Sequence, residues 1–338
     1  MPRVWPDAAA RGDNARLVPG SIDVSAGPDS PLAARAATAS RRLALSGLAL
    51  AAIGAVAASG KAIIVKLAYR HGIDAMSLLA LRMLVAFPFF VAMGLWAARR
   101  SSRTLSLREW LQVAGLGFTG YYLSSYLDFL GLAYISATLE RLILYLSPTL
   151  VMLIALVVLG QRPSRQQLLA LAVSYGGVLL AFGHDIAFDG RRTLIGSALV
   201  FAGALSYAIY LFGSGQVVAR IGALRLTAYA SGIASVLCVG QYLLTRPASG
   251  LLAFPAPVYW LSLLNGTLCT VLPVLAIMIG VKRIGPALAA QVSMLGPVST
   301  IVLSVWLLAE PMGLWQSAGT ALVLAGVLLV GRGAGRGR

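Results

Sequence analysis

Residues 135–180, ISATLERLILYLSPTLVMLIALVVLGQRPSRQQLLALAVSYGGVLL, can be laid without a gap over residues 284–329, IGPALAAQVSMLGPVSTIVLSVWLLAEPMGLWQSAGTALVLAGVLL, at a shift of 149 positions, and 11 of the 46 pairs are identical. Several identities are leucines, which an apolar composition matches by chance. The informative pairs are Ile135 with Ile284, Pro148 with Pro297, Gln167 with Gln316, and Gly177 and Val178 with Gly326 and Val327. Self-similarity at a fixed offset is the mark of an internal repeat. Both copies are apolar over runs long enough to cross a bilayer, about 20 residues at 1.5 Å each.

Composition says the same of the whole chain. Of 338 residues 59% are apolar and 11% charged, against roughly 25% charged in a soluble domain, so the expected solvent is a bilayer. A net charge of +16 invites a nucleic-acid reading. A nucleic-acid binder, however, gathers its charge on one soluble face, whereas these arginines fall between apolar runs, and no nucleic-acid partner is expected. Cys238 and Cys269 both lie inside apolar segments, where thiols pack as small hydrophobes. Neither a disulfide framework, a metal nor a cofactor is indicated.

From residue 43 the chain divides into ten spans, near 43–68, 75–97, 110–134, 136–159, 167–183, 194–218, 224–244, 257–281, 286–309 and 313–331. The fold expected is an all-α membrane protein of ten transmembrane helices. Residues 43–183 form a first five-helix repeat and 194–331 a second. Loop cations sort by side, which fixes orientation: Arg99, Arg100, Arg103, Arg108, Arg162, Arg165, Arg220, Arg225, Lys282, Arg283, Arg332, Arg336 and Arg338 fall on one side, and only Arg70, Arg191, Arg192 and Arg246 on the other. Both termini are therefore expected in the cytoplasm. An odd number of helices per repeat makes the copies inverted, a recurring transporter plan with the substrate between the halves. Residues 1–42, rich in Ala, Pro, Gly, Asp and Arg with no apolar run of signal-peptide length, are expected as a disordered cytoplasmic tail. A start codon assigned too far upstream would leave the same picture. No function is placed there.

These segments resemble the two EamA repeats of the drug/metabolite transporter superfamily over roughly residues 43–331. The resemblance rests on GLAYISATLERLILYLSPTLVMLIALVVLGQRPSRQQLLALAVSYGGVLL and RIGPALAAQVSMLGPVSTIVLSVWLLAEPMGLWQSAGTALVLAGVLLV. Its marks are Arg82 in the second helix, Pro148 and Pro297 inside helices four and nine, Gln161 or Glu310 just after those helices, and the closing glycines Gly177 and Gly326. Two positions depart from the family. Ser59-Gly60 stands where Trp-Gly is common, and Gln161 where an acid is usual. The resemblance implies a carrier of amino acids, nucleosides, drugs or other metabolites, with a homodimer among the candidate assemblies.

Buried charge is the most informative chemistry, because an ionised group in mid-membrane costs roughly 3 kcal/mol or more unless it faces a partner or a cavity. Lys61, Lys66, Arg82, Asp128, Glu140 and Arg141 fall well inside spans, all in the first repeat and in the outer half of the membrane. Two readings compete. In one, Asp128 and Glu140 pair with Arg82 and Arg141, Lys66 snorkels to the headgroups, and the network only holds helices together. In the other, surplus cations take a substrate carboxylate or phosphate while an acid carries a coupling proton. Glu140 and Arg141 are consecutive, about 100° apart on a helix, and each is expected to need another partner.

Polar faces extend this reading. Tyr121, Ser124, Ser125 and Asp128 recur at i, i+3, i+4 and i+7, one face of helix three. Helix six offers Gly203, Ser206, Tyr207, Tyr210 and Ser214, and helix nine Ser293, Gly296, Pro297, Thr300 and Ser304. Tyr145 joins the candidate substrate-binding residues from helix four. Such faces line a cavity or let helices pack closely. Pro148 and Pro297 each remove a mid-helix hydrogen bond, giving paired hinges or static kinks.

Other classes find less support. His71 and His184 sit in expected outer loops, and no paired catalytic aspartates, Ser-Lys pair, His-Glu-x-x-His helix or phosphate-binding G-x-x-x-x-G-K-[ST] loop occurs. An enzyme is not expected. A passive channel or a purely structural membrane protein is the alternative to a secondary transporter of the inner membrane exporting amino acids or similar small metabolites by alternating access. The cation sorting also places the segment of His184 and Asp189 outside. A C-terminal fluorescent fusion should be bright and a C-terminal periplasm-active phosphatase fusion dark; the opposite pattern would reverse the orientation.

Overall fold

A computed structural model describes residues 31–100, 103–160, 165–284, 289, 292, 295–310 and 313–334. Its elements are α1 (Pro31–Tyr69), α2 (Ala75–Arg99), α3 (Leu107–Gly117), a π-helical turn π1 (Phe118–Leu123), α4 (Ser124–Leu132), α5 (Ala137–Leu144), α6 (Ser147–Leu159), α7 (Arg165–Ile221), α8 (Ala223–Thr245), α9 (Ala256–Gly266), a second π-turn π2 (Thr267–Val271), α10 (Leu272–Ile284), α11 (Leu295–Leu308) and α12 (Leu314–Ala334). No strand occurs among the described residues. The chain divides into two compact units, residues 1–44 and residues 45–338. In the first, helix starts at Pro31, inside the stretch expected as a tail, because the Ala- and Arg-rich run 31–42 favours helix.

Six helices among the described residues are long and apolar enough to cross a membrane: Arg42–Tyr69, Ala75–Arg99, Ala137–Leu159, Gly190–Ile221, Ala223–Thr245 and Ala256–Ile284. The ten separate spans are not reproduced. The expected loop between helices five and six is helical, and α7 runs unbroken for 57 residues. That is about 85 Å of helix against a hydrocarbon core of roughly 30 Å. Its apolar parts, Leu171–Leu180 and Gly190–Ile221, flank a polar stretch with glycine but no proline, and a single glycine costs only about 1 kcal/mol in a helix.

Elsewhere local chemistry sets the ends. Asp74 caps α2, accepting from the Met76 and Ser77 amides at 3.0 and 3.2 Å. Partial burial works against its ionised form, yet hydrogen bonds from Ser77 and Arg246 hold the Asp74 carboxyl below the usual range. Ser106 and Glu109 form a reciprocal capping box at the start of α3.

The 149-residue offset governs the packing of the second unit as well as its sequence. Phe118 plus 149 is Thr267, so the two π-turns open at equivalent positions. Gly117, just before π1, lies against α8, where an added Cβ would come 2.7 Å from the Ala230 carbonyl. Gly266, just before π2, lies against α2, where one would come 2.9 Å from the Arg82 carbonyl. Gly47 on α1 meets Ile284 of α10, and Gly196 on α7 meets Ile135 beyond α4; Gly54 meets Ile277, and Gly203 meets the backbone at Ser124 and Asp128. Each of these is the 149-shifted image of the other. The first helix of each repeat therefore lies on the third helix of the other, and the second crosses the opposite third. Reciprocal contact of this kind defines a two-fold relation.

Adding a methyl at either crossing forces backbones apart. Gly117→Ala and Gly266→Ala should each cost about 1–3 kcal/mol, read as a lower thermal midpoint in detergent. Gly240→Ala, whose new methyl meets no atom within 4 Å, should leave the midpoint unchanged or raised. Sensitivity at only one of the two crossings would break the equivalence.

Candidate functional site

The site begins with α1, whose position against α10 and α11 turns Lys61 inward. Ser59, two residues earlier, donates to the Ala55 carbonyl at 2.7 Å and to the Gly296 carbonyl at 2.6 Å, tying α1 to α11. Lys61 Nζ reaches Asp128 Oδ2 of α4 at 2.5 Å and Glu140 Oε1 of α5 at 3.3 Å. Both acids are buried, at 2% and 0% exposure. Arg141 Nε closes the line at 3.8 Å from Glu140 Oε2. Lys61 thus holds together two carboxylates that would otherwise repel.

This corrects the expected pairing in two ways. Consecutive Glu140 and Arg141 do meet, because the long guanidinium side chain folds back over its neighbour. Arg82 makes no ion pair among the described residues. Its Nε donates to Thr270 Oγ1 at 2.9 Å, its guanidinium carbon lies 5.2 Å from the Phe129 ring centre, and Asp128 acts on it from beyond ion-pair distance. Thr270 donates in turn to the Asn265 carbonyl at 2.7 Å. Arg82, Lys61 and Arg141 all lie within electrostatic reach of Cys269 on π2. Three cations against two acids leave one positive charge in excess. Arg82 Nη1, Arg141 Nη2, Asp128 Oδ1 and both side-chain polar atoms of Asn265 are buried without a hydrogen bond among the described residues.

Lys66 stands apart from this cluster. With Tyr69, Arg70, Leu132, Ala133, Leu308 and Glu310 it lines a separate cavity of about 370 Å³. Glu310 there accepts from the Ala137 amide at 2.8 Å, the Thr138 amide at 3.2 Å and the Thr138 hydroxyl at 3.0 Å. A carboxylate on those first amides completes the helix N-terminus. The second repeat thereby fixes α5, the helix that carries Glu140 and Arg141.

The single polar face expected of helix three is divided. Tyr121 turns to α7, its hydroxyl 3.1 Å from that of Tyr210 with the rings edge-on at 5.1 Å, while Asp128 turns to α1. The cause is π1, whose wider turn shifts the register between them. Ser124 faces Gly203 with its backbone, and Ser125 is half-buried. Tyr207 stacks on Tyr210 at 5.6 Å but is 36% exposed. The polar face of helix nine packs rather than lines a cavity: Thr300 bonds back to the Gly296 carbonyl at 3.1 Å and Ser304 meets Thr138 at 2.9 Å. Ser293 and Gln161 lie outside the described residues.

Pro148 is in the first turn of α6, not inside a helix, because α5 ends at Leu144 and α6 starts at Ser147. A proline there sacrifices no helical bond of α6. The Leu144 carbonyl it would have served accepts from Ser147 Oγ at 2.7 Å. Pro297 lies in α11, close to residues 293 and 294 that fall outside the described ones. Tyr145 sits at the α5–α6 break, half-buried beside Gly296.

Sequence reasoning missed Thr270, Cys269 and Asn265. The offset could have found the first, since Tyr121 plus 149 is residue 270. Carried further, it maps Lys61, Arg82, Asp128, Glu140 and Arg141 onto Tyr210, Ser231, Ile277, Ala289 and Ala290, so the charge belongs to one half alone. Removing the central cation should be costly: Lys61→Met leaves two facing buried acids and should lower stability by about 3–5 kcal/mol. Thermal melting of the purified protein checks this, and adding Asp128→Asn to the variant should restore part of the loss.

The model of the EamA-like transporter family matches residues 45–183 and 194–332. The transporter YcbK of Bacillus subtilis (strain 168), itself uncharacterized, is 32% identical over 281 residues, which are 82% of this chain and 90% of the relative. A "Probable terminal-alkyne amino-acid exporter" of Streptantibioticus cattleyicolor is 26% identical over 269 residues, 78% of this chain and 88% of the relative. A crystal structure aligns with a TM-score of 0.56 at 19% identity, covering 88% of this chain and 99% of its own, a likeness of fold alone.

Proposed function

Because the chain belongs to the EamA-like transporter family, and is thus a multi-pass membrane transporter, we propose that it is a secondary carrier exporting amino acids or similar small zwitterions across the cytoplasmic membrane, with both termini inside. The observation that carries this reading is the buried cluster between the halves. Its excess cation and unsatisfied guanidinium donors at Arg82 and Arg141 suit a carboxylate. The free oxygen of Asp128 suits an ammonium. A solely structural network would leave fewer such atoms unpaired, since each costs about 1–3 kcal/mol. Tyr121, Tyr207 and Tyr210 offer a neighbouring uncharged surface for the rest of the molecule. The printed role of the Streptantibioticus relative, amino-acid export, agrees with this class.

Alternating access is the transport mode that two-fold-related halves support. Each half's first helix is held by the other half's third, so a rocking motion moves the charged wall as one body past its uncharged image. Proton coupling falls to Asp128 and Glu140, the two buried acids beside Lys61: a carboxylate that has taken a proton no longer attracts a substrate ammonium, so proton and substrate occupy the pair in turn. A channel would need a continuous polar path, and the polar face of α11 is spent on packing.

Proteoliposomes loaded with labelled neutral amino acids test this against vesicles without protein. Arg82→Ala at normal membrane abundance should reduce transport at least ten-fold, and Arg82→Lys should recover little, since lysine lacks the planar two-point grip on a carboxylate. Full transport by the Arg82→Ala protein would exclude Arg82 as a substrate ligand, and loss of folded protein instead of transport would assign it a structural role.

A further inference from the structure

Away from the central cluster, α2, α3 and α8 enclose an apolar groove of about 410 Å³ that opens outward between helices. Phe87, Val91, Leu95 and Val236 form its walls and are themselves exposed. Its floor is shaped by two glycines: Gly94 lets Tyr229 lie within van der Waals reach, and Gly232 faces open space. No charged residue lines the groove.

One end is chemically distinct. Trp110 stacks near Tyr229 at 5.1 Å and is 42% exposed, and Trp96 lies under the Arg100 guanidinium at 4.0 Å. Exposed tryptophans at a helix end mark headgroup depth. Arg99 and Arg100 close α2 there, and Arg225 lies over Tyr229 at 5.8 Å while bonding to the Arg103 carbonyl. Glu109 is taken by Arg103 at 2.6 Å, so the groove mouth keeps a strong positive excess. An apolar slot at hydrocarbon depth joined to a basic mouth at headgroup depth matches one kind of molecule on both counts.

We propose that this groove binds an anionic phospholipid, one acyl chain lying between α2 and α8 and the phosphate held at Arg99 and Arg100 on the cytoplasmic side. The charge excess selects the headgroup and the slot admits the chain. Neither a second copy of this chain nor an apolar substrate accounts for both ends. The site is independent of what the carrier transports.

Native mass spectrometry tests it on the full-length protein released from vesicles of equal phosphatidylcholine and phosphatidylglycerol. The protein should retain one phosphatidylglycerol per chain. Gly232→Phe, and separately Val236→Trp, should abolish retention by filling the slot without change in the melting midpoint in neutral lipid. Arg100→Gln should lower it about five-fold, the worth of one arginine at a charged surface. Equal retention of phosphatidylcholine, or retention of the anionic lipid by both filled variants, would overturn the proposal. So would a change from dimer to monomer on filling the groove, which would make a second copy the occupant.

Discussion

The close approach of backbones where the two repeats cross is the contact on which everything else in this protein rests. Lipid tails are as apolar as leucine, so helices in a bilayer gain little from hiding hydrophobic surface and depend on tight van der Waals packing. Gly117 of α3 against α8 and Gly266 of α9 against α2 provide that packing where a methyl group would collide with a carbonyl. Because every such crossing joins one repeat to the other, neither half completes its own packing. The position of α1 follows from α10, and from α1 follows the place of Lys61.

The backbone is two-fold and the charge is not. Lys61, Arg82, Asp128, Glu140 and Arg141 answer to tyrosine, serine, isoleucine and two alanines in the other half. On the proposed carrier reading, a substrate between the halves meets one charged wall and one uncharged wall, an asymmetry that orients a molecule with one ionic end. The halves are nonetheless coupled through charge, since Glu310 of the second repeat anchors the helix that presents Glu140 and Arg141 of the first.

Much of this was legible in the sequence. Ungapped similarity over residues 135–180 revealed the repeat, and the rarity of ionised groups in hydrocarbon singled out the charged cluster. What failed did so for local reasons. Periodicity assumes 3.6 residues per turn, and π1 breaks it between Tyr121 and Asp128. Spacing on a helix speaks of Cβ directions, whereas Arg141 reaches Glu140 through a long side chain. The boundary at His184 was inferred from polarity, and polar residues without proline do not end a helix. Asn265 carries no charge, so nothing in the sequence alone distinguished it from a packing residue, and Thr270 was visible only as the 149-shifted image of Tyr121.

The break at Tyr145 and Leu146 has a mechanical consequence. Bending a membrane helix ordinarily exposes peptide groups to hydrocarbon, at several kcal/mol for each. Between α5 and α6 that loss is already taken at Pro148, and the orphaned carbonyl of Leu144 is served by a serine hydroxyl rather than a backbone amide. A hydroxyl on a rotatable bond can follow its acceptor as the angle between two segments changes, which a fixed amide cannot. On the alternating-access reading proposed above, this joint is the place where the two segments turn, one turn of helix from Arg141 at the edge of the charged wall.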